Sequence, residues 1–243
     1  MTNKFIAIIQ TGQAIESVLD KYGDFDDWFI KGMNINRSQT RTYRVYQELS
    51  FPEIQDVAGI IVTGSASMVT QELDWSEETI RWLRPLLTLN IPILGVCYGH
   101  QMLVKLLGGK VGWNPNGRQI GQIEMCTNQD TLLDPLFENI FEENISALKF
   151  LATHQQSALV MPEDVIQLGS TDLDPNHCFR YKNHIWGLQF HPEFSEDVMK
   201  GYIKARAKDI EQEGQKPDQL IEKIEPSNIG SLLLQAFKKH CGL

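Results

Sequence analysis

The chain has 243 residues and a formal charge of −9 at neutral pH; its Lys and Arg are dispersed, which excludes a nucleic-acid surface built on clustered cations. With 42% hydrophobic and 22% charged residues it has the composition of an ordinary soluble protein, and no apolar run reaches membrane-spanning length. The N-terminal MTNKFIAIIQ reads as a first strand rather than a secretory signal, so a cytoplasmic address is expected, with Cys97, Cys126, Cys178 and Cys241 all reduced.

In chain order, Phe5 to Gln10 forms a buried-type strand closed by the turn signal Thr11-Gly12. Ala14 to Lys31 reads as a helix and loop, Tyr43 to Tyr46 as a second strand, and Gly59 to Val62 as a third. The third strand ends in Thr63-Gly64-Ser65-Ala66-Ser67, a run of small residues at a strand's carboxyl end, where α/β sheets place ligands. Asp74-Trp75-Ser76-Glu77 predicts a capped helix start, and Ile80, Leu83 and Leu87 continue it at helical spacing. Asn90-Ile91-Pro92 stops that helix and delivers the chain to ILGVCYGHQMLVKLL, Ile93 to Leu107.

Gly108-Gly109 ends the following helix, Lys110 to Trp113 starts a strand, and Asn114-Pro115-Asn116-Gly117 turns the chain into a strand from Ile120 to Cys126. Leu132 to Ile140 reads as a short helix, Leu148 to Ala152 as a strand leading to Thr153-His154-Gln155-Gln156, and Val165 to Leu168 and Cys178 to Tyr181 as further strands. Ile185 to Phe190 runs directly into His191-Pro192-Glu193, and a helix beyond Ser195 carries Val198, Tyr202 and Ile203. Glu211 to Asn228 reads as a surface excursion and Ile229 to His240 as a closing amphipathic helix. The pattern predicts a single domain over 1–243, with 211–243 as its C-terminal excursion and closing helix. Its fold class is α/β, with a mixed sheet covered by helices on both faces.

Chemistry concentrates at two places. In Gly95-Val96-Cys97-Tyr98-Gly99, glycines two residues either side of Cys97 permit the sharp strand-to-helix elbow that raises a nucleophile above a sheet. The helix starting near Tyr98 aims its N–H groups at the sulfur, which favours thiolate. A nucleophile needs a base, and the base an orienting group. His191 and Glu193, two apart on an extended segment stiffened by Pro192, face the same side and supply both. Cys97 and His100 also share a C-x-x-H spacing, but no second ligand pair accompanies it, so no metal is expected.

GVCYGHQ together with QFHPE resembles the class I glutamine amidotransferase family with its Cys, His and Glu triad. VTGSASMV, the His154 segment and the order of elements are most similar to the amidotransferase domain of GMP synthase and its stand-alone relatives, from about Phe5 to Tyr202. The resemblance implies a flavodoxin-like three-layer sandwich with a mainly parallel central sheet. It also implies Cys97 as nucleophile, His191 as acid and base, and Glu193 as its orienting group. The backbone N–H groups of Ser65 and Tyr98 would form the oxyanion hole, and Gly64, Gln101, His154 and Gln155 would line a glutamine pocket. The implied reaction is hydrolysis of L-glutamine through a Cys97 thioester without a cofactor, the ammonia passing to an acceptor or synthetase on another chain; homo-oligomerisation stays open.

Two departures stand in that pattern: Gly64-Ser65-Ala66 replaces Gly-Gly-Pro, and Gln156 replaces the acid of a His-x-Asp at the synthetase-facing rim. No segment after His191 is expected to house an ATP-pyrophosphatase domain, and no G-x-x-x-x-G-K-[ST] loop is present. The same triad also suits a γ-glutamyl hydrolase or peptidase, or an idle regulatory module. His177, His184 and His240 are expected at the surface and the five Trp residues in core or rim packing; Arg118, after Asn116-Gly117, could touch a ligand but reads first as a solvated turn residue.

Overall fold

The structure is a computed structural model that describes residues 4–141 and 148–243. Its first half runs β1 (Phe5–Gln10), α1 (Glu16–Tyr22), α2 (Phe25–Met33), β2 (Thr40–Arg44), β3 (Val57–Val62), α3 (Asp74–Leu86), β4 (Ile93–Val96), α4 (Tyr98–Leu106), β5 (Lys110–Trp113) and β6 (Gln119–Thr127). Then come α5 (Gln129–Leu133), α6 (Glu138–Phe141), β7 (Leu148–His154), β8 (Gln156–Val160), β9 (Val165–Ser170), β10 (Cys178–Tyr181) and β11 (Ile185–Leu188). Four helices close the chain: α7 (Glu196–Ala205), α8 (Ala207–Gln212), α9 (Pro217–Glu222) and α10 (Ile229–His240).

Nine strands form one sheet in the order β2-β1-β3-β4-β11-β10-β9-β6-β7. The run from β2 to β11 is parallel, whereas β10 pairs antiparallel with both β11 and β9, and β6 with both β9 and β7. The fold is thus mixed α/β with a mostly parallel centre. Its parallel strands are buried on both faces and divide their side chains by the period of two. Ile6, Ile8 and Ile61 pack with Phe29 of α2 and with Leu233 and Phe237 of α10. Ala7, Ile9, Ile60 and Val62 pack on the other face with Leu83 of α3 and with Met102 and Leu103 of α4.

Several boundaries differ from the sequence reading. The second strand begins at Thr40, three residues before the expected Tyr43. Asp74 is the first residue of α3 and not its cap: Leu73 caps it and no side chain bonds the free N–H groups there. The helix expected from Leu132 to Ile140 is two short ones, parted where Asp134 turns its Oδ1 back to accept from the Leu136 N–H at 2.9 Å. Strand β8 was not anticipated, because Gln156-Ser157-Ala158-Leu159-Val160 has little apolar alternation. It pairs with β5 in a separate two-stranded sheet that leaves Trp113 62% exposed, against the expectation of core or rim packing. The stretch expected as an excursion carries the end of α8 and all of α9, and Leu220 of α9 covers Gly121 of β6. No helix among the described residues is long and apolar enough to cross a membrane.

The elbow depends on two missing side chains. A Cβ on Gly95 would sit 2.5 Å from the Gly99 carbonyl oxygen, and a Cβ on Gly99 would overlap the Val62 carbonyl. Both obstacles are backbone, so neither can move aside. Gly99→Ala is therefore expected to cost about 3 kcal/mol or more, seen as a lowered urea midpoint at unchanged slope, whereas Gly117→Ala in the exposed turn should cost about 1 kcal/mol.

Candidate functional site

Cys97 lies between β4 and α4 with φ 52° and ψ −97°, a conformation an L-residue holds only when its surroundings impose it. Those surroundings are hydrogen bonds on both sides: the Cys97 N–H donates to the Leu188 carbonyl at 2.8 Å and the Gly99 N–H to the Thr63 carbonyl at 3.2 Å. The residue is 7% exposed, its Sγ 3.8 Å from the Thr153 carbonyl oxygen. Tyr98 opens α4, so its N–H lies among the helix's unpaired donors beside the sulfur.

His191 follows β11 through Gln189 and Phe190, and its N–H donates to the Leu151 carbonyl of β7 at 2.7 Å. Its Nδ1 donates to Glu193 Oε1 at 2.7 Å, with both side chains buried. The ring is held flat against Phe194, centroids 4.0 Å apart, with Phe25 beyond, and lines a small cavity together with Cys97. Burial works against a charged imidazole here, but the Glu193 carboxylate and the Cys97 sulfur outweigh it and raise the His191 pKa. The structure thus brings Cys97, His191 and Glu193 together from distant segments of the chain.

Gly64 lies against this group, since a Cβ there would stand 2.9 Å from His191 Cε1 and 3.7 Å from Cys97 Cβ. A cleft of about 420 Å³ opens over Cys97, lined by Ser65, Tyr98, Gln101, His154 and Gln155 among others. Gln101 is fixed at its base, its Nε2 donating to the Gln156 carbonyl at 2.8 Å and to Gln189 Oε1 at 2.9 Å. His154 is buried, its Nδ1 2.9 Å from the Gln156 carbonyl oxygen and its Nε2 3.0 Å from Gln119 Oε1. Burial lowers its pKa to about 4, so the ring is neutral. Gln156 is not at a rim: it is buried and its amide donates to Thr70 at 2.6 Å.

Sequence reasoning missed two arginines and a histidine. Arg118 is no solvated turn residue; its side chain is 4% exposed, with Nε 2.7 Å and Nη2 2.9 Å from the Glu213 carboxylate. Arg206, capping α7, lines the same cleft. Nothing local in the sequence marks either, because Glu213 and the cleft come from distant segments. His177 is fully buried, not superficial, and stacks near His154 at 5.5 Å between centroids. With Asp174 these two histidines form, among the described residues, a group whose candidate ligand atoms lie within 4.8 Å of one another. Both nitrogens of His154 are already engaged, so the trio makes a packed polar wall behind the cleft. His100 packs on Phe179 and against Gly187.

A family model described as glutamine amidotransferase class-I matches residues 17–208. Gamma-glutamyl peptidase 2 of Arabidopsis thaliana is 27% identical over 226 residues, covering 90% of this chain and 89% of its own length. A putative glutamine amidotransferase of Saccharomyces cerevisiae is 29% identical over 225 residues, 86% of each chain. A GMP synthase of Paraburkholderia phytofirmans is 33% identical over 149 residues, 60% of this chain but 27% of that enzyme. Among solved structures, a glutamine amidotransferase from Thermotoga maritima superposes with a TM-score of 0.74 at 20% identity, covering 98% of both chains, a likeness of fold.

The polar wall yields a pH prediction. Burial pushes the Asp174 carboxyl up to about 6 against the opposing Asn176 N–H bond. A raised native pKa means that the native state binds the proton more tightly. The associated stability is therefore fully present below the unfolded value near 4 and lost as pH rises through about 6. Asp174→Asn, whose amide can face His177, is expected to match the wild type in urea at pH 4 and exceed it by about 2 to 3 kcal/mol at pH 7.5.

Proposed function

The chain belongs to the glutamine amidotransferase class-I family, and we propose that it hydrolyses the side-chain amide of L-glutamine through a Cys97 thioester and releases ammonia for an acceptor on another chain. The observation that carries this reading is the buried His191–Glu193 contact at 2.7 Å beside the strained Cys97. The sulfur attacks the amide carbon. The oxyanion that forms is met by the N–H groups of Ser65 and Tyr98, each worth about 3 kcal/mol of barrier. His191 gives its proton to the departing nitrogen as the C–N bond breaks, and ammonia leaves. His191 then takes a proton from water, whose oxygen attacks the thioester; glutamate departs and the sulfur is regenerated. Glu193 keeps the imidazole oriented throughout.

In this reading Gly64, Gln101, His154 and Gln155 shape the glutamine pocket, with Arg118 and Arg206 as counter-charges for the substrate's α-carboxylate. A second reading, cleavage of γ-glutamyl peptides, is favoured by one observation. A neighbouring open groove, bordered by Trp113 and Leu173, shares Gln155 and Arg118 with the cleft as lining, and would give room for a leaving group larger than ammonia.

Incubation with a glutamine-mimicking electrophile, read by intact mass, should give one adduct on the wild type and none on Cys97→Ala. That variant should also lose at least a thousandfold in kcat. An equal adduct on Cys97→Ala, or none on the wild type, sinks the catalytic reading and leaves a binding module. A kcat/KM for γ-glutamyl dipeptides more than a hundredfold above that for glutamine transfers the assignment to the second reading.

A further inference from the structure

The loop over Cys97 is anchored by two buried threonines that the reaction itself does not use. Thr11 follows β1 and Thr63 follows β3, neighbouring parallel strands, and both are wholly buried. The Thr11 N–H donates to Thr63 Oγ1 at 3.1 Å, which frees the Thr63 hydroxyl proton to donate to the Gly64 carbonyl oxygen at 2.9 Å. The Thr11 hydroxyl lies 3.0 Å from the same oxygen and 2.9 Å from the Thr63 carbonyl oxygen. The Thr63 hydroxyl thus holds the Gly64 carbonyl oxygen, while the single Thr11 hydroxyl proton is shared between the Thr63 and Gly64 carbonyl oxygens just beyond the strand ends.

The peptide joining Gly64 to Ser65 is trans and planar, so its N–H points opposite to its carbonyl. With the carbonyl fixed on the threonines, the Ser65 N–H faces the other way, and Ser65 lines the cleft that Cys97 opens into. Turning this peptide over would direct the carbonyl oxygen towards the reacting atoms, where an oxyanion would be repelled. It would also leave the buried Thr63 hydroxyl without its acceptor, an arrangement proteins avoid, and the Thr11 hydroxyl with the Thr63 carbonyl oxygen alone.

We propose that Thr11 and Thr63 are positioning residues that hold the oxyanion hole permanently assembled, so that hydrolysis at Cys97 runs at its full rate with no second protein present. The proposal rests on the Cys97 hydrolase reading above. It makes turnover independent of an activating partner even where the released ammonia has a protein acceptor.

The test uses the purified full chain with L-glutamine and a γ-glutamyl dipeptide, followed on the faster substrate, with electrophile labelling of Cys97 in parallel. The wild type alone should turn over at about 1 s⁻¹ or faster, within the ordinary enzymatic range. Thr11→Val and Thr63→Val, which keep the shape but lose the hydroxyl, should each drop kcat about 10- to 100-fold with KM within about twofold, as for a weakened oxyanion donor. Thr11→Ser and Thr63→Ser should restore kcat to within about threefold. Valine variants as fast as wild type, or serine variants as slow as valine, overturn the clamp.

Should a valine variant fail to fold, the wild type still decides. Full labelling of Cys97 with turnover below about 0.01 s⁻¹ leaves the nucleophile in place and overturns the preassembled hole. Absence of both labelling and turnover overturns the hydrolase reading, and the clamp falls with it.

Discussion

Two backbone hydrogen bonds organise this molecule's chemistry: Cys97 N–H to the Leu188 carbonyl, and Gly99 N–H to the Thr63 carbonyl. They fasten the elbow between β4 and α4 to the ends of its two sheet neighbours, β11 on one side and β3 on the other. One neighbour continues into His191 and Glu193, the other into Gly64 and Ser65. Fixing the elbow between them therefore sets the spacing of Cys97, His191 and the Gly64–Ser65 loop in a single act. The contact is close enough to require glycine at 95 and 99, so the strain at Cys97 is held by packing that has no slack.

Burial then sorts the histidines by electrostatics. Four of the chain's histidines are buried, His100, His154, His177 and His191. Three are driven neutral: His100 to a pKa of about 3, His154 to about 4, and His177 well below its ordinary value, in each case chiefly by desolvation. His191 alone moves upward, because Glu193 and Cys97 supply negative charge that burial strengthens. The low-dielectric interior thus concentrates a transferable proton on one ring and silences its neighbours. His154 stands near His191, and its neutrality keeps a competing charge out of the cleft.

What was legible in the sequence were features whose cause is local. The glycine spacing around Cys97 announced the elbow, the stiffened His191-Pro192-Glu193 segment announced a side-chain pair, and the periodicity of Ile229 to His240 gave α10 its observed limits. What stayed hidden depends on partners far along the chain. Arg118 looked solvated because its burial comes from Glu213, His177 looked superficial because its neighbours are His154 and Phe190, and β8 escaped because its stability derives from β5. The threonines are the sharpest case. Thr11 and Thr63 are unremarkable turn residues until the parallel pairing of β1 with β3 sets their hydroxyls around one carbonyl oxygen.

The split of Cys97 from His191 and Glu193 across the sheet has a consequence for how the protein comes into being. β4, with the cysteine at its end, is made early, but its partner β11 is made after all the antiparallel strands. Until β11 is inserted between β4 and β10, the Cys97 N–H lacks its acceptor at Leu188 and His191 is not yet beside Cys97. Such non-local pairing is intrinsically late and slow in folding. A nascent chain therefore carries Cys97 without its buried His191 neighbour until the last strand completes the sheet.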